Sequence, residues 1–197
     1  MRALERAAKV QAAILFTLVL LAWILELVDR VAYGGTLDRF GIQPREVGRL
    51  WGILVAPLLH VGWVHLASNT GPFIVLGWLV LLRGIRDFVV VSVCAILIGG
   101  LGVWIFGAAN SIHVGASGVV FGYLGYLLAR GYFERSVWSV VLAIGAGILY
   151  GSVLWGLVPG QRGISWEGHL FGLVGGVAAA RLLVSSQRNV SLAAQRK

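Results

Sequence analysis

Six stretches of this chain are almost wholly apolar, and each is about as long as one crossing of a bilayer. They run over 10–28, 64–82, 88–106, 117–133, 137–157 and 168–185. A hydrocarbon layer about 30 Å thick takes roughly 20 apolar residues in a helix. Inside lipid each backbone N–H and C=O must find a partner within its own segment or barrel, so each stretch predicts a helix. The first stretch is too long for a signal-peptide core and no small-x-small cleavage site follows it, so it reads as a retained span. Pro159 and Gly160 end the fifth. The pattern predicts an all-α polytopic membrane protein: one six-helix bundle domain over 1–197.

Between the first two spans lies the longest interruption, 29–62. It still carries Tyr33, Leu37, Phe40, Leu50, Trp51 and Leu58, so it predicts a partly embedded interfacial structure. Basic residues orient the spans. With the N-terminus inside, the inner side holds Arg2, Arg6, Lys9, Arg83, Arg86, Arg130, Arg135, Arg181, Arg188, Arg196 and Lys197. The outer side holds Arg30, Arg39, Arg45, Arg49 and Arg162. Eleven against five, with four of the five in the long loop, predicts that both termini are cytoplasmic.

Composition agrees. The chain is 58% hydrophobic and only 12% charged, about half the usual charged share of a soluble domain. Its net charge of +8 does not point to nucleic acid, because the cations sit in short loops and form no stripe with interleaved aromatics. One cysteine, Cys94, excludes an intramolecular disulfide and reads as a buried thiol.

A polar side chain at membrane depth needs a reason. Four stand out: His65, Asn69, Ser117 and His169. Counted up from the basic residue at the foot of each span, Ser117 stands about 20 Å above Arg130 and His169 about 18 Å above Arg181. Asn69 stands about 21 Å above Arg83, and His65 about 27 Å. All four therefore share the outer half of the layer, with His65 and Asn69 on one helical face.

Small residues recur every fourth position at Gly168, Gly172, Gly176 and Ala180, and again at Gly118 and Gly122. Such faces let two helices touch along their backbones, and they would bring Ser117 towards His169. A serine hydroxyl becomes a nucleophile when a base takes its proton, and imidazole is the commonest base. No carboxylate lies deep in a span, so the residues read as a Ser–His dyad. Free amides at the start of the fourth helix, with His65 and Asn69, are candidate oxyanion donors. His60 reads as an anchor at the loop–helix junction. His113 reads as a loop residue at the mouth, a lid or a donor. Glu167 reads as a helix-dipole partner first and as a group that tunes His169 second.

These residues resemble a known family. Gly115-Ala116-Ser117-Gly118 is similar to the GxSG motif of the rhomboid intramembrane serine proteases. Gly168-His169-Leu170-Phe171-Gly172 resembles their sixth-helix histidine block, and His60, His65 and Asn69 keep their H-x4-H-x3-N spacing. The resemblance covers roughly 50–180 and implies a six-helix fold in a bacterial plasma membrane with its site open to the outer side. It implies Ser117 as nucleophile and His169 as base. It also implies an oxyanion hole of His65, Asn69 and the Ser117 amide, supported by Gly115, Gly118, Phe121, Gly168 and Gly172. The implied substrates are transmembrane segments of other proteins, cut after small residues near helix-destabilising ones. No cofactor, metal or nucleic acid is implied, and the pattern carries no information on oligomeric state.

Three positions depart from the family: Trp51-Gly52 stands where a Trp-Arg pair is frequent, Phe121 where a Tyr is frequent, and Glu167 lies two residues before His169. A metalloprotease would need H-E-x-x-H, which is absent. An aspartyl protease would need two membrane aspartates, but Asp29, Asp38 and Asp87 lie in loops or at span edges. No inverted repeat suggests a transporter. The alternative is a catalytically silent relative that binds transmembrane helices, a class that typically lacks the Ser or the His retained here.

Overall fold

A computed structural model describes residues 2–161 and 163–195, with side chains described for 4–161 and 163–187. Arg162, Arg196 and Lys197, counted above for topology, lie outside the described residues, as do the side chains of Arg2 and Arg188. The helices are α1 (Arg2–Val28), α2 (Gly52–Val55), α3 (Gly62–Leu81), α4 (Ile85–Phe106), α5 (Ser117–Glu134), α6 (Val137–Tyr150) and α7 (Trp166–Gln195). A π-helical turn, Asp29–Tyr33, extends α1, and a 3-10 segment, Gly151–Leu157, extends α6. Among the described residues there is no strand, only an isolated antiparallel bridge between Ile42 and His113.

Five helical segments are long and apolar enough to cross a membrane: Leu4–Tyr33, Gly62–Leu81, Ile85–Phe106, Val137–Leu157 and Trp166–Gln187. Helix α5 is different because it is the middle of the bundle. It packs on α3, α4, α6 and α7, and eleven of its 18 residues are buried. A helix wrapped by protein needs no continuous lipid-facing apolar surface, so α5 can carry glycines, tyrosines and Arg130.

Apolar burial drives helix association weakly in lipid, so close packing and hydrogen bonds must hold α5 in place. The packing is with α7. A β-carbon on Gly172 would stand 2.1 Å from the Gly118 carbonyl oxygen, and one on Gly176 would stand 1.9 Å from that of Gly122. Any side chain at either position would wedge the two helices apart. Tyr123 Oη pairs with Ser92 Oγ at 2.8 Å, tying α5 to α4.

The C-terminal end of α5 is held by charge. The Arg130 guanidinium pairs with Asp87 and donates to the Tyr126 hydroxyl, and its Nε donates to Glu134 at 2.7 Å. Glu134 accepts a further bond from Arg83 at 2.8 Å and one from Ser139 at 2.7 Å. Arg135 turns the chain in the left-handed region (φ 54°), and Ser136 caps α6 by accepting from the Ser139 amide.

The segment from 34 to 61 folds in short helical turns against α4 and the 107–116 loop. Ile42 and His113 exchange backbone hydrogen bonds of 2.9 and 3.0 Å. The Arg45 guanidinium donates to the carbonyls of Ile105 and Gly107. Ile42, Ile53 and Ala56 are buried with Val103 of α4, while Trp51, Leu54 and Val61 are exposed.

Candidate active site

The first turn of α5 and the first turn of α7 meet at the glycine seam, and this sets Ser117 against His169. Ser117 Oγ lies 2.8 Å from His169 Nε2. His169 Nδ1 lies 2.9 Å from the Gly156 carbonyl oxygen in the 3-10 segment after α6. A carbonyl only accepts, so Nδ1 carries the ring proton and Nε2 presents a lone pair to the serine hydroxyl. The ring is fixed on its flat side too. Phe121, one turn along α5 from Ser117, stacks on it at 4.2 Å with an interplanar angle of 10°. The imidazole thus has a set tautomer and a set orientation, both of which a general base requires.

Gly156 was not singled out from the sequence, because a backbone acceptor leaves no side-chain signal. Its small size is the only hint. A β-carbon there would stand 2.7 Å from His169 Nδ1 and 3.1 Å from Phe121. Glu167 is buried in the first turn of α7, but the orienting contact to Nδ1 comes from Gly156 instead.

Opposite the dyad stand His65 and Asn69 of α3. The Val61 amide donates to His65 Nδ1 at 3.3 Å, so Nε2 carries the proton. That edge rests on Gly115, where a β-carbon would lie 2.8 Å from Nε2 and 2.7 Å from Cε1. Gly115 is also in the left-handed region (φ +113°), so only glycine satisfies both the turn into α5 and the approach of His65. Asn69 Nδ2 donates to the His65 carbonyl at 3.0 Å, which leaves its second N–H unassigned. Gly115 thus joins His65 and Asn69 to the turn that carries Ser117, Phe121 packs on His169, and Gly168 and Gly172 meet Gly118 along the seam that sets Ser117 against His169.

The amides at the start of α5 divide by partner. Ala116 N–H donates to His60 Nε2 at 3.3 Å, and those of Val119 and Val120 donate to the Ala116 carbonyl. The Ser117 and Gly118 amides, in the first turn of the helix, have no intrahelical acceptor. His60 is buried, and burial together with neighbouring His65 holds it down to about 4, so it stays a neutral acceptor. It anchors the junction to α3 by fixing the amide next to Ser117.

His113 is neither a lid nor a free donor. Its Nδ1 pairs with Ser165 Oγ at 2.6 Å and its Nε2 with Ser111 Oγ at 2.7 Å. Burial lowers its pKa, opposed by the nearby Glu167 charge. Ser165 Oγ in turn accepts from the Gly168 amide at 3.3 Å, so the ring ties the 107–116 loop to the start of α7. Beside Ser117 a cavity of about 50 Å³ is bounded by His113, Gly118, Gly100, Ala56 and Ile53. Among the described residues, no three His, Cys, Asp or Glu side chains converge as a metal site would require.

Comparison with known proteins matches this architecture. The model of the rhomboid domain matches residues 47–186. Uncharacterized protein Rv1337 of Mycobacterium tuberculosis is 43% identical over 182 residues, covering 88% of this chain and 75% of the relative. Uncharacterized protein ML1171 of Mycobacterium leprae is 40% identical over 184 residues, covering 88% and 72%. Rhomboid protease GluP of Bacillus subtilis is 30% identical over 170 residues, covering 84% of this chain and 33% of the relative. The matched segment runs from the turns before α2 almost to the end of the described side chains of α7 and includes every residue gathered at the site, so the chain belongs to the rhomboid family.

Proposed function

We propose that this protein is an intramembrane serine endopeptidase that cleaves transmembrane segments of single-span membrane proteins with the Ser117–His169 dyad. The observation that carries this reading is the 2.8 Å contact between Ser117 Oγ and His169 Nε2, with the other ring nitrogen held by Gly156. It favours a working protease over a silent helix-binding relative, which has no use for an oriented base beside a serine.

The reaction follows from the donors and acceptors. His169 Nε2 takes the Ser117 proton as Oγ attacks the scissile carbonyl carbon. The oxyanion that forms is met by the Ser117 amide, His65 Nε2–H and the free Asn69 N–H. His169 then gives its proton to the leaving amine, and the acyl-enzyme is hydrolysed by a water that His169 activates in the same way. The cavity of about 50 Å³ beside Ser117 is roomy enough for one or two waters or a small side chain, which supports cleavage after small residues. No cofactor has a role in this scheme.

The bundle is read as one domain with six spans, counting α5, and with both termini cytoplasmic. Arg83, Arg86 and Arg130 lie at one end, joined to Glu134, Ser186 and Gln187. A basic end belongs inside, which turns the Ser117 end to the outer side of a bacterial plasma membrane.

The test uses a fluorophosphonate probe and a tagged single-span substrate co-reconstituted with the protein. Wild type is expected to be labelled and to release product. Ser117→Ala is expected to do neither, with turnover at least about a thousandfold lower. Product that persists in Ser117→Ala, or no product from a panel of single-span substrates, would refute the reading.

A further inference from the structure

A second cavity, about 340 Å³, lies behind the site and plays no part in the chemistry. It is the gap between α1 and α4, roofed by Leu54, Pro57 and Leu58. Helix α1 packs on α3 and on the turn Ala56–Leu58 but barely touches α4. Leu18 and Ala22 form one wall, Ser92 and Val93 the other, and Val119 and Tyr123 of α5 the back.

The walls say what can fill it. Most polar groups along it are already paired, the exceptions being His60 Nδ1 and the second Asn69 N–H. Ser92 Oγ donates to the Phe88 carbonyl and pairs with Tyr123 Oη. Thr70 Oγ1 donates to the Leu66 carbonyl and accepts from Trp23 Nε1. Asn69 Nδ2 is bonded to the His65 carbonyl, and His60 Nε2 accepts from Ala116. The Leu58 carbonyl lies near the His60 ring, and Nδ1 of that ring makes no hydrogen bond of normal geometry. A buried water needs two to four partners, and apolar cavities less than half this size stay dry and take up apolar guests instead. The mouth opens on the lipid-facing side of two spans, where Val89 and Val93 are 50% and 47% exposed. The medium at that mouth is hydrocarbon.

We propose that one acyl chain of a bilayer lipid occupies this cavity, inserted between α1 and α4 beneath Leu54–Leu58. The chain packs against Ala116 and Asn69 from the side opposite the serine, so the protein's site rests partly on lipid. The site therefore takes a saturated or unsaturated hydrocarbon chain, not a polar ligand.

The full chain, reconstituted in phosphatidylcholine vesicles with a minor share of phosphatidylcholine carrying a diazirine in one acyl chain, provides the test. After irradiation, adducts are mapped by mass spectrometry. Labelling is expected on buried Val119 and half-buried Ser92, beside the general lipid-facing labelling of Ile144 and Ile148 on α6. Ala22→Phe fills the cavity from α1 and is expected to lose the Val119 and Ser92 adducts while keeping those on α6. Val93→Phe plugs the mouth at an exposed position and decides the matter the same way should Ala22→Phe fail to fold. Absence of label on Val119 and Ser92 in wild type, with Ile148 labelled, would overturn the proposal. So would adducts that survive the plugging substitution in a folded protein.

Discussion

The two ends of α5 are built on opposite principles. At its C-terminal end, Arg130, Asp87, Glu134, Arg83, Tyr126 and Ser139 pair into one network. At its N-terminal end, donors are left over on the Ser117 and Gly118 amides, His65, Asn69 and His60, and burial pushes the His60 and His113 pKa values down. Unpaired polar groups in a low-dielectric place are costly. A fold keeps them where they have work to do, and under the proposed function that work is meeting a charge that appears only during reaction. The paired end anchors the helix against lipid; the unpaired end is where chemistry is affordable.

The comparison breaks most sharply if Asp87 is removed. The Arg130–Asp87 pair has side chains only 3% and 6% exposed. Asp87→Ala leaves the buried guanidinium with Glu134 as its remaining carboxylate, so the loss is expected to stay below the about 3–5 kcal/mol of a fully stranded buried charge. Its melting temperature in detergent is expected to fall well below that of wild type, while the fluorophosphonate reactivity of the protein that remains folded is unchanged. A Ser117 reactivity that falls in step with each molecule's loss of Asp87 would show that the two ends are not separate.

At the unpaired end the expected effect is on rate instead. Asn69→Ala removes one of the proposed oxyanion donors, and such a donor is worth about 2.7–4 kcal/mol of transition-state stabilisation, or roughly 10²–10³ in kcat. KM should move little, and Ser117 should still be labelled. Because Asn69 also bonds the His65 carbonyl, Asn69→Asp serves as a comparison that keeps the shape but loses the N–H.

His60 links the two principles through pH. Its folded-state value lies near 4, below the ordinary 6.5. Its contribution to stability is therefore complete above pH 6.5 and is lost as pH falls through 4. The difference corresponds to roughly 3 kcal/mol at about 1.4 kcal/mol per unit. Wild type should lose melting temperature between pH 7 and 4, and His60→Gln, which keeps an acceptor for the Ala116 amide, should lose less. Equal losses in both proteins would place the acid sensitivity elsewhere.

Much of this was legible in the sequence because membranes impose simple rules. Apolar length gave the helices, and counting residues from Arg130 and Arg181 put Ser117 and His169 at one height, where they touch. Helix α1 starts at Arg2, before the apolar run it carries, because basic residues extend a helix into the headgroups without cost to its hydrogen bonds. What could not be read was backbone. The Gly156 carbonyl that orients His169 belongs to a 3-10 segment, Gly151–Leu157, whose apolar sequence reads as the continuation of the fifth α-helical span. The His113–Ser165 tie joins loops far apart in the chain, and neither residue has a periodic pattern to place it.

The smallest effect sharpens the comparison at a third place, the turn after α1. Asp38 Oδ1 and Asp29 Oδ2 are both buried without a hydrogen-bond partner, and Glu26, paired with Arg30, is close by. Burial first, then the charges of Asp29 and Glu26, push Asp38 up to about 6, with Arg30 opposing. The folded state thus holds this proton more tightly than the unfolded chain does. The stability it confers is present below the ordinary carboxyl range and is lost as pH rises through 6. This is the reverse of His60, so the two groups can be separated by titration. Asp38→Asn is expected to be more stable than wild type at pH 8, by less than about 1 kcal/mol given its partial exposure, with the gap narrowing as pH falls through 6 and closing only near the ordinary carboxyl range. If the gap instead widens on acidification, the carboxylate at this turn is held by its cation and not strained by its neighbours. The turn would then belong with the paired end of α5.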